Sequence, residues 1–429
     1  MFKTFLGAVV IVLALGTTSL EAKTFSYSQV HNMPRSVEKD YYIWRFLMQR
    51  STTASQARSI VKEVNNTNKK LRQAYKKKTG VNPPNITHNP YVTQQQKEDW
   101  KHQAEGNRLF NEGIRQVQRK KLQKAITYFH KAHDVYLKRW EKDKSLFWLY
   151  LLTKEKKYLY KIKRNSTHIN MYTLLAADMT HSQYPRSIIT PRVSKKRISG
   201  IDETNPIDWA KMKIKVKKPN ADLSELAEDC ESQATIGMNT YIKAKACNYR
   251  KSYFPMPYRN AMYTYPVERQ ALIYAIARQE SRFVPASVSR SFALGMMQFM
   301  PFLVDHVAKQ KGIHIDYDDM FKPKVAIDFA NLHLDYLNKW LYHPLFVAYA
   351  YNAGIGFTKK LLRNPHYFRN GPFEPYLSME KMNNVQAREY GKRVLTNYVI
   401  YMNKLGKSTR LLPFIKSLTD PARTDRFRH

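Results

Sequence analysis

The sequence predicts an all-α protein. Gly is scarce, at 14 of 429 residues. No stretch sustains the two-residue alternation of a half-buried strand, and long runs are rich in Leu, Ala, Lys, Gln, Glu and Tyr, which favours helices. The length suits two or three domains. The net charge of +38 calls for an anionic partner: nucleic acid, a membrane surface or an acidic polymer.

The N-terminus narrows that choice. Lys3 precedes an uncharged run over 5–16, and small and polar residues follow as far as Ala22. This is the pattern of a secretory signal peptide at 1–22. The run is shorter than the ~20 apolar residues of a membrane span, and no Cys lies near the cleavage point to carry a lipid. Export to the periplasm is therefore expected. It sets nucleic acid aside and leaves an extracellular polymer, with peripheral membrane association still open. The two cysteines, Cys230 and Cys247, could bridge a short helical hairpin in an oxidising compartment or stay as separate thiols.

Residues 23–180 read as a helical superhelical region. Helical spacing over 37–64 (Tyr42, Trp44, Phe46, Leu47, Ile60, Val61, Val64) gives way at 65–91 to Asn, Lys, Gly and Pro, which suggests a loop or linker. The stretch 98–162 is strongly helical. Within it Ala125, Tyr128, Phe129 and Ala132 have the small/aromatic spacing of a helix-turn-helix solenoid unit. The aromatic and aliphatic stripe 146–152 reads as helix–helix packing, and 168–177 as a further helix. Residues 181–254 lose periodicity, then become helical again, and form a connecting region. Residues 255–429 read as short helices with marked ends, opened by Pro266, Pro301 and Pro344 and stopped in one case by Gly354. The long final helix covers 383–405.

One residue of this last region stands out. On a helix from 267 to 281, Ile273, Ile276 and Ala277 share one side, and Glu280 continues that side a turn later. A carboxyl on an apolar face is disfavoured as an anion. The negative end of the helix dipole adds to this. Both raise its pKa towards the range a general acid needs. No glycine-rich phosphate loop, CxxC pair or HExxH appears, so neither metal nor cofactor is expected.

The surroundings of Glu280 resemble the soluble lytic murein transglycosylases, a lysozyme-like family. The resemblance rests on AIARQESRF (275–283), SFALGMMQFMP (291–301), AYNAG (350–354) and REYGKRVL (388–395). It covers about 255–415 and implies a lysozyme-like helical catalytic domain behind the superhelix. It also implies cleavage of peptidoglycan glycan strands, with Glu280 as acid and then base. Ser281, Ser289, Gln298, Met300, Tyr351, Asn352, Gln386 and Tyr390 fall at substrate-contacting positions. The expected product is a 1,6-anhydromuramyl end, formed without water. Asp305, Asp316, Asp318 and Asp319 match no second catalytic carboxylate, although a hydrolytic outcome stays open. So does an inactive wall-binding scaffold with cell-wall protein partners. Two positions depart from the family: Phe292 stands where Gly is frequent, and Gln386 where an acidic residue helps bind the peptide stem. Glu389 or Glu380 could compensate for the second.

Overall fold

The computed structural model describes residues 23–87, 92–164, 167–195 and 198–428. The expected leader at 1–22 lies outside them. The architecture is all-α. Among the described residues the strands are two-residue pieces, Ile188–Ile189 and Ser252–Tyr253, paired in parallel. None of the described helices is long and apolar enough to cross a membrane.

The superhelical stretch is built from Gln94–Gln118, Leu122–Val135, Arg139–Thr153, Lys157–Arg164 and Met171–Met179, each packed on the next. Close approach depends on two glycines a heptad apart. A Cβ on Gly106 would lie 2.5 Å from the Tyr136 ring, and one on Gly113 would lie 2.6 Å from Phe129. Ala125, Phe129 and Ala132 are fully buried, while Tyr128 is partly so. Trp148, from the predicted stripe, stacks on Phe129 at 5.5 Å. The loop expected at 65–91 contains a helix instead, Lys69–Thr79. Asn68 caps it, and Gly80 ends it at φ +78°. Its lysine-rich surface hid the two residues that anchor it, Leu71 and Tyr75.

The N-terminal helices do not form a body of their own. One continuous apolar core runs from Phe25 to Phe427. Helix Val37–Met48 lays Tyr41 and Trp44 onto the second half of the chain. Trp44 stacks on Phe292 at 5.5 Å and on Tyr317 at 5.7 Å. Beside them, Arg45 is 7% exposed. Its guanidinium donates to Asp316 at 2.6 and 3.0 Å and to Asp318 at 3.2 Å. A planar fork against carboxylates is the strong form of such a bond.

Residues 206–217, within the expected connecting region, form a helix capped by Asn205. The cysteine bridge is corrected: Cys230 and Cys247 are both free thiols. Cys230 closes helix Leu223–Asp229 at the turn of a helical hairpin, and Cys247 closes Ile236–Ala246 at its far end. An 11-residue helix separates them by roughly 16 Å, well beyond the ~7 Å limit for a bridge.

Candidate active site

Helix Val267–Glu280 starts at Pro266 and ends on the residue of interest. Residues Ala271 to Ala277 are buried, so the helix runs through the core. It packs on helix Val385–Lys404, which in turn packs on Pro344–Ala353. Three contacts set this geometry. Arg278 donates to Asn397 at 2.8 Å. Asn397 donates to the Ala275 carbonyl at 3.2 Å. Gly391 lets the Tyr349 ring approach where any Cβ would stand 2.2 Å from it.

Past Glu280 the chain turns sharply through Arg282 and Phe283, both at positive φ. It then builds a small irregular platform in which Leu294 bridges Val288 and Phe299. Glycine is required at 295: φ is +74°, and a Cβ would lie 2.1 Å from the Met320 carbonyl oxygen. Phe292, the departure from the family pattern, sits at φ +61°, a backbone state costly for a bulky side chain. Its ring is fully buried against Trp44 and Tyr41. The N-terminal helix thus supplies the contacts that hold this strained residue.

Glu280 keeps partial exposure, yet burial dominates its carboxyl and pushes the pKa up to about 7. The Tyr390 hydroxyl donates to it at 2.6 Å and acts in the opposite direction. No second carboxylate acts on it. The four aspartates noted in the sequence are engaged elsewhere. Asp305 accepts from Tyr317, Asp316 and Asp318 hold Arg45, and Asp319 pairs with Lys322. We expect Tyr390→Phe to remove the one group favouring the anion. The alkaline limb of the pH profile of kcat/KM should then move upward, with kcat lowered about tenfold.

The structure brings Glu280, Asn352, Gln386 and Tyr390 together on one cavity of about 540 Å³. The other predicted residues are not among those that line this cavity, and the side chains of four of them are tied to the backbone. Ser281 donates to the Met296 carbonyl at 2.9 Å, and Tyr351 to the Met297 carbonyl at 2.8 Å. Gln298 donates to Ser287 and Gly295 carbonyls at 3.1 and 2.8 Å. The Ser289 hydroxyl accepts from the Ala293 amide at 2.9 Å. Met300 is the N-cap of helix Pro301–Lys311. These bonds hold the platform to the end of helix Val267–Glu280. Burial first, and then the Glu280 carboxylate, push up the Tyr351 pKa, while burial, Glu280 and Tyr351 push up that of Tyr390.

The opposite wall of the cavity comes from the superhelix: Gln103, Asn107, Asn111, Trp140 and Lys144. Sequence reading missed all of them. Gln103, Asn107 and Asn111 recur every four residues, a polar stripe on one helical face that was the available signal. The acidic groups offered as substitutes for a stem-binding acid are already engaged. Glu380 is 3% exposed and accepts from Tyr172 at 2.5 Å and Lys392 at 2.8 Å. Glu389 accepts from Lys392 at 3.2 Å and Arg388 at 3.1 Å. Gln386 itself is exposed.

The chain is similar to known proteins in sequence and in fold. Residues 256–370 match the family model of the transglycosylase SLT domain. The chain is 28% identical over 234 residues to the soluble lytic murein transglycosylase of Salmonella typhimurium, covering 52% of this chain and 35% of that one. It is 26% identical over 302 residues to a putative soluble lytic murein transglycosylase of Haemophilus influenzae, covering 60% and 51%. The chain therefore spans about a third to a half of the length of these relatives. In fold it is similar to the lytic transglycosylase Slt of Pseudomonas aeruginosa, solved as an inactive mutant, with a TM-score of 0.53 at 16% identity over 90% of this chain and 66% of that one. That likeness is one of fold. The segment that carries Glu280 and Tyr351 thus matches the transglycosylase SLT domain family, in a chain related to the soluble lytic murein transglycosylases.

Proposed function

We propose that the chain is an exported peptidoglycan lytic transglycosylase, acting in the periplasm on the bond between N-acetylmuramic acid and N-acetylglucosamine. In this reading residues 255–429 form the catalytic unit, 23–180 roof its cleft and 181–254 join the two. The observation that carries the proposal is Glu280: a carboxyl held near neutrality by burial, in hydrogen-bond contact with Tyr390, at the wall of a cavity.

The chemistry needs one carboxylate. Protonated Glu280 delivers its proton to the bridging oxygen as the C1–O bond breaks, and the substrate's 2-acetamido oxygen assists at C1. Glu280, now an anion stabilised by the Tyr390 hydroxyl, removes the proton from the muramic C6 hydroxyl. The C6 oxygen then bonds to C1, giving a 1,6-anhydro ring and restoring the acid. Hydrolytic glycosidases mostly place a second carboxylate across the bond, whereas here the nearby aspartates are bound to Arg45, Lys322 and Tyr317. Asn352 and Gln386 line the cleft as polar contacts, while Ser281, Ser289, Gln298, Met300 and Tyr351 shape its floor. The excess of 72 Lys and Arg over 34 Asp and Glu favours retention on a polymer with acidic stems.

Mass spectrometry of the products released from purified sacculi tests the reading. Anhydromuramyl ends are expected. Reducing muramic ends would identify a hydrolase, and no release at all would leave only a wall-binding scaffold.

A further inference from the structure

The roof of the cavity holds a charge that the catalytic scheme does not use. Lys144, in the middle of helix Arg139–Thr153, is only 2% exposed. Its ammonium rests 4.0 Å from the centre of the Phe110 ring, 5.2 Å from Tyr136 and 5.6 Å from Trp140. Ring faces attract a cation but do not replace oxygen acceptors for three N–H donors. Among the described residues no hydrogen bond or ion pair to this ammonium is found. A buried charge left in this state is costly. Burial lowers its pKa to about 8, with Glu380 and Glu389 opposing from a distance, so the group remains a cation at neutral pH.

Lys144 lines the same cavity as Glu280. One turn earlier on the helix, Glu141 accepts from the Gln103 amide through one oxygen and keeps the other buried without a partner; the Lys144 charge acts on it, but the two are not within the 4.0 Å of an ion pair. The rest of this wall offers donors: Asn107, Asn111 and the Trp140 indole, with Arg388 and Arg393 facing them from helix Val385–Lys404. Arg388 already donates to Glu389 and to the Glu380 carbonyl. The unused donors therefore concentrate at Lys144, across the cleft from Gln386, the position where the family pattern has an acid.

We infer that Lys144 is a specificity residue that receives a carboxylate of the substrate, so that the superhelical roof and not the catalytic half reads the anionic part of the glycan. The inference rests on the proposed function for the identity of that substrate. Two carboxylates could fill the place: one on the peptide stem, or the lactyl carboxylate of a muramic acid lacking its stem.

The test is a binding measurement in the full chain carrying Glu280→Gln, so that no ligand is consumed. Calorimetric titration would use a muramyl-peptide disaccharide and the same compound with its carboxylates amidated. A stem-free disaccharide, as acid and as lactyl amide, identifies which carboxylate is used. The acid form of at least one pair should bind about tenfold more tightly than its amide, as expected for a charge-assisted bond. Lys144→Met should erase that ratio, and Lys144→Arg should keep part of it. Equal binding of acid and amide forms in both pairs would overturn the inference, a result that needs no Lys144 variant to fold. So would a ratio that survives in folded Lys144→Met. Should the acid preference hold while the chain with Glu280 intact releases nothing from sacculi, the lyase reading would fail and the carboxylate site would stand.

Discussion

Glu280→Gln is expected to lower kcat on sacculi by at least about 10³-fold, because the proposed mechanism uses one residue as both acid and base and general acid–base catalysis is worth roughly 10²–10⁴. The same substitution should stabilise the fold. The Glu280 pKa is about 7 in the native state against 4.5 for the free side chain. Below pH 4.5 both native and unfolded chains hold the proton and nothing is lost. Between these values the native state binds more protons than the unfolded one, so stability falls as pH rises. Above pH 7 the deficit is constant. Gln carries no such deficit. The gain at pH 8 should be on the order of 1–3 kcal/mol, discounted because Glu280 keeps some solvent contact, and should vanish at pH 4. Thermal melts at the two pH values, beside turbidity assays on sacculi, read both effects. Full activity in the variant would remove Glu280 from the mechanism. An equal change in melting temperature at both pH values would remove desolvation as the origin of its pKa.

Arg45→Met should be the most destabilising single change outside the active site. It takes the buried guanidinium from Asp316 and Asp318, whose side chains are 10% and 14% exposed, and leaves Asp318 only the exposed Lys23 as a cation. It also strips a donor from the Tyr41 hydroxyl at 2.9 Å. Removing one side of such a pair costs about 3–5 kcal/mol, readable as a shift in the urea midpoint. Burial pushes the Asp316 pKa up, but the bonds from Arg45 and from backbone amides win, and the net shift is downward. A depressed carboxylate pKa adds stability above the unfolded value of 3.8, and this is lost as pH falls through the folded value. The wild type should therefore lose stability in that acid range, and the variant should show less of this dependence. Activity should drop along with stability, since the Tyr317–Phe321 turn supplies the Met320 carbonyl that packs against Gly295. A midpoint shift below about 1 kcal/mol would mean that the cluster is solvated like a surface salt bridge.

Much of the candidate site was legible because its signals are local. The end of an apolar helical face at Glu280 and the proline-opened helices are each written in fewer than about twenty consecutive residues. The helix at Lys69–Thr79 was not legible, since only Leu71 and Tyr75 mark its buried side amid lysines. For the cysteine pair the sequence left a bridge and two free thiols both open, and the length of one intervening helix decides for the thiols.

By itself the sequence determined the helical class, the helix that ends at Glu280, and the order of the motifs around it. These follow from backbone periodicity and turn chemistry, which depend on neighbours along the chain. Only the tertiary structure decided what faces Glu280. Tyr390 is 110 residues away and Gln103, Asn107 and Lys144 come from the superhelix. It also showed that Phe292 and the aspartates of 316–318 belong to a cluster built with Tyr41, Trp44 and Arg45. Such assignments depend on which burials and ion pairs satisfy one another in space. That balance is struck among residues hundreds of positions apart, which no local pattern records.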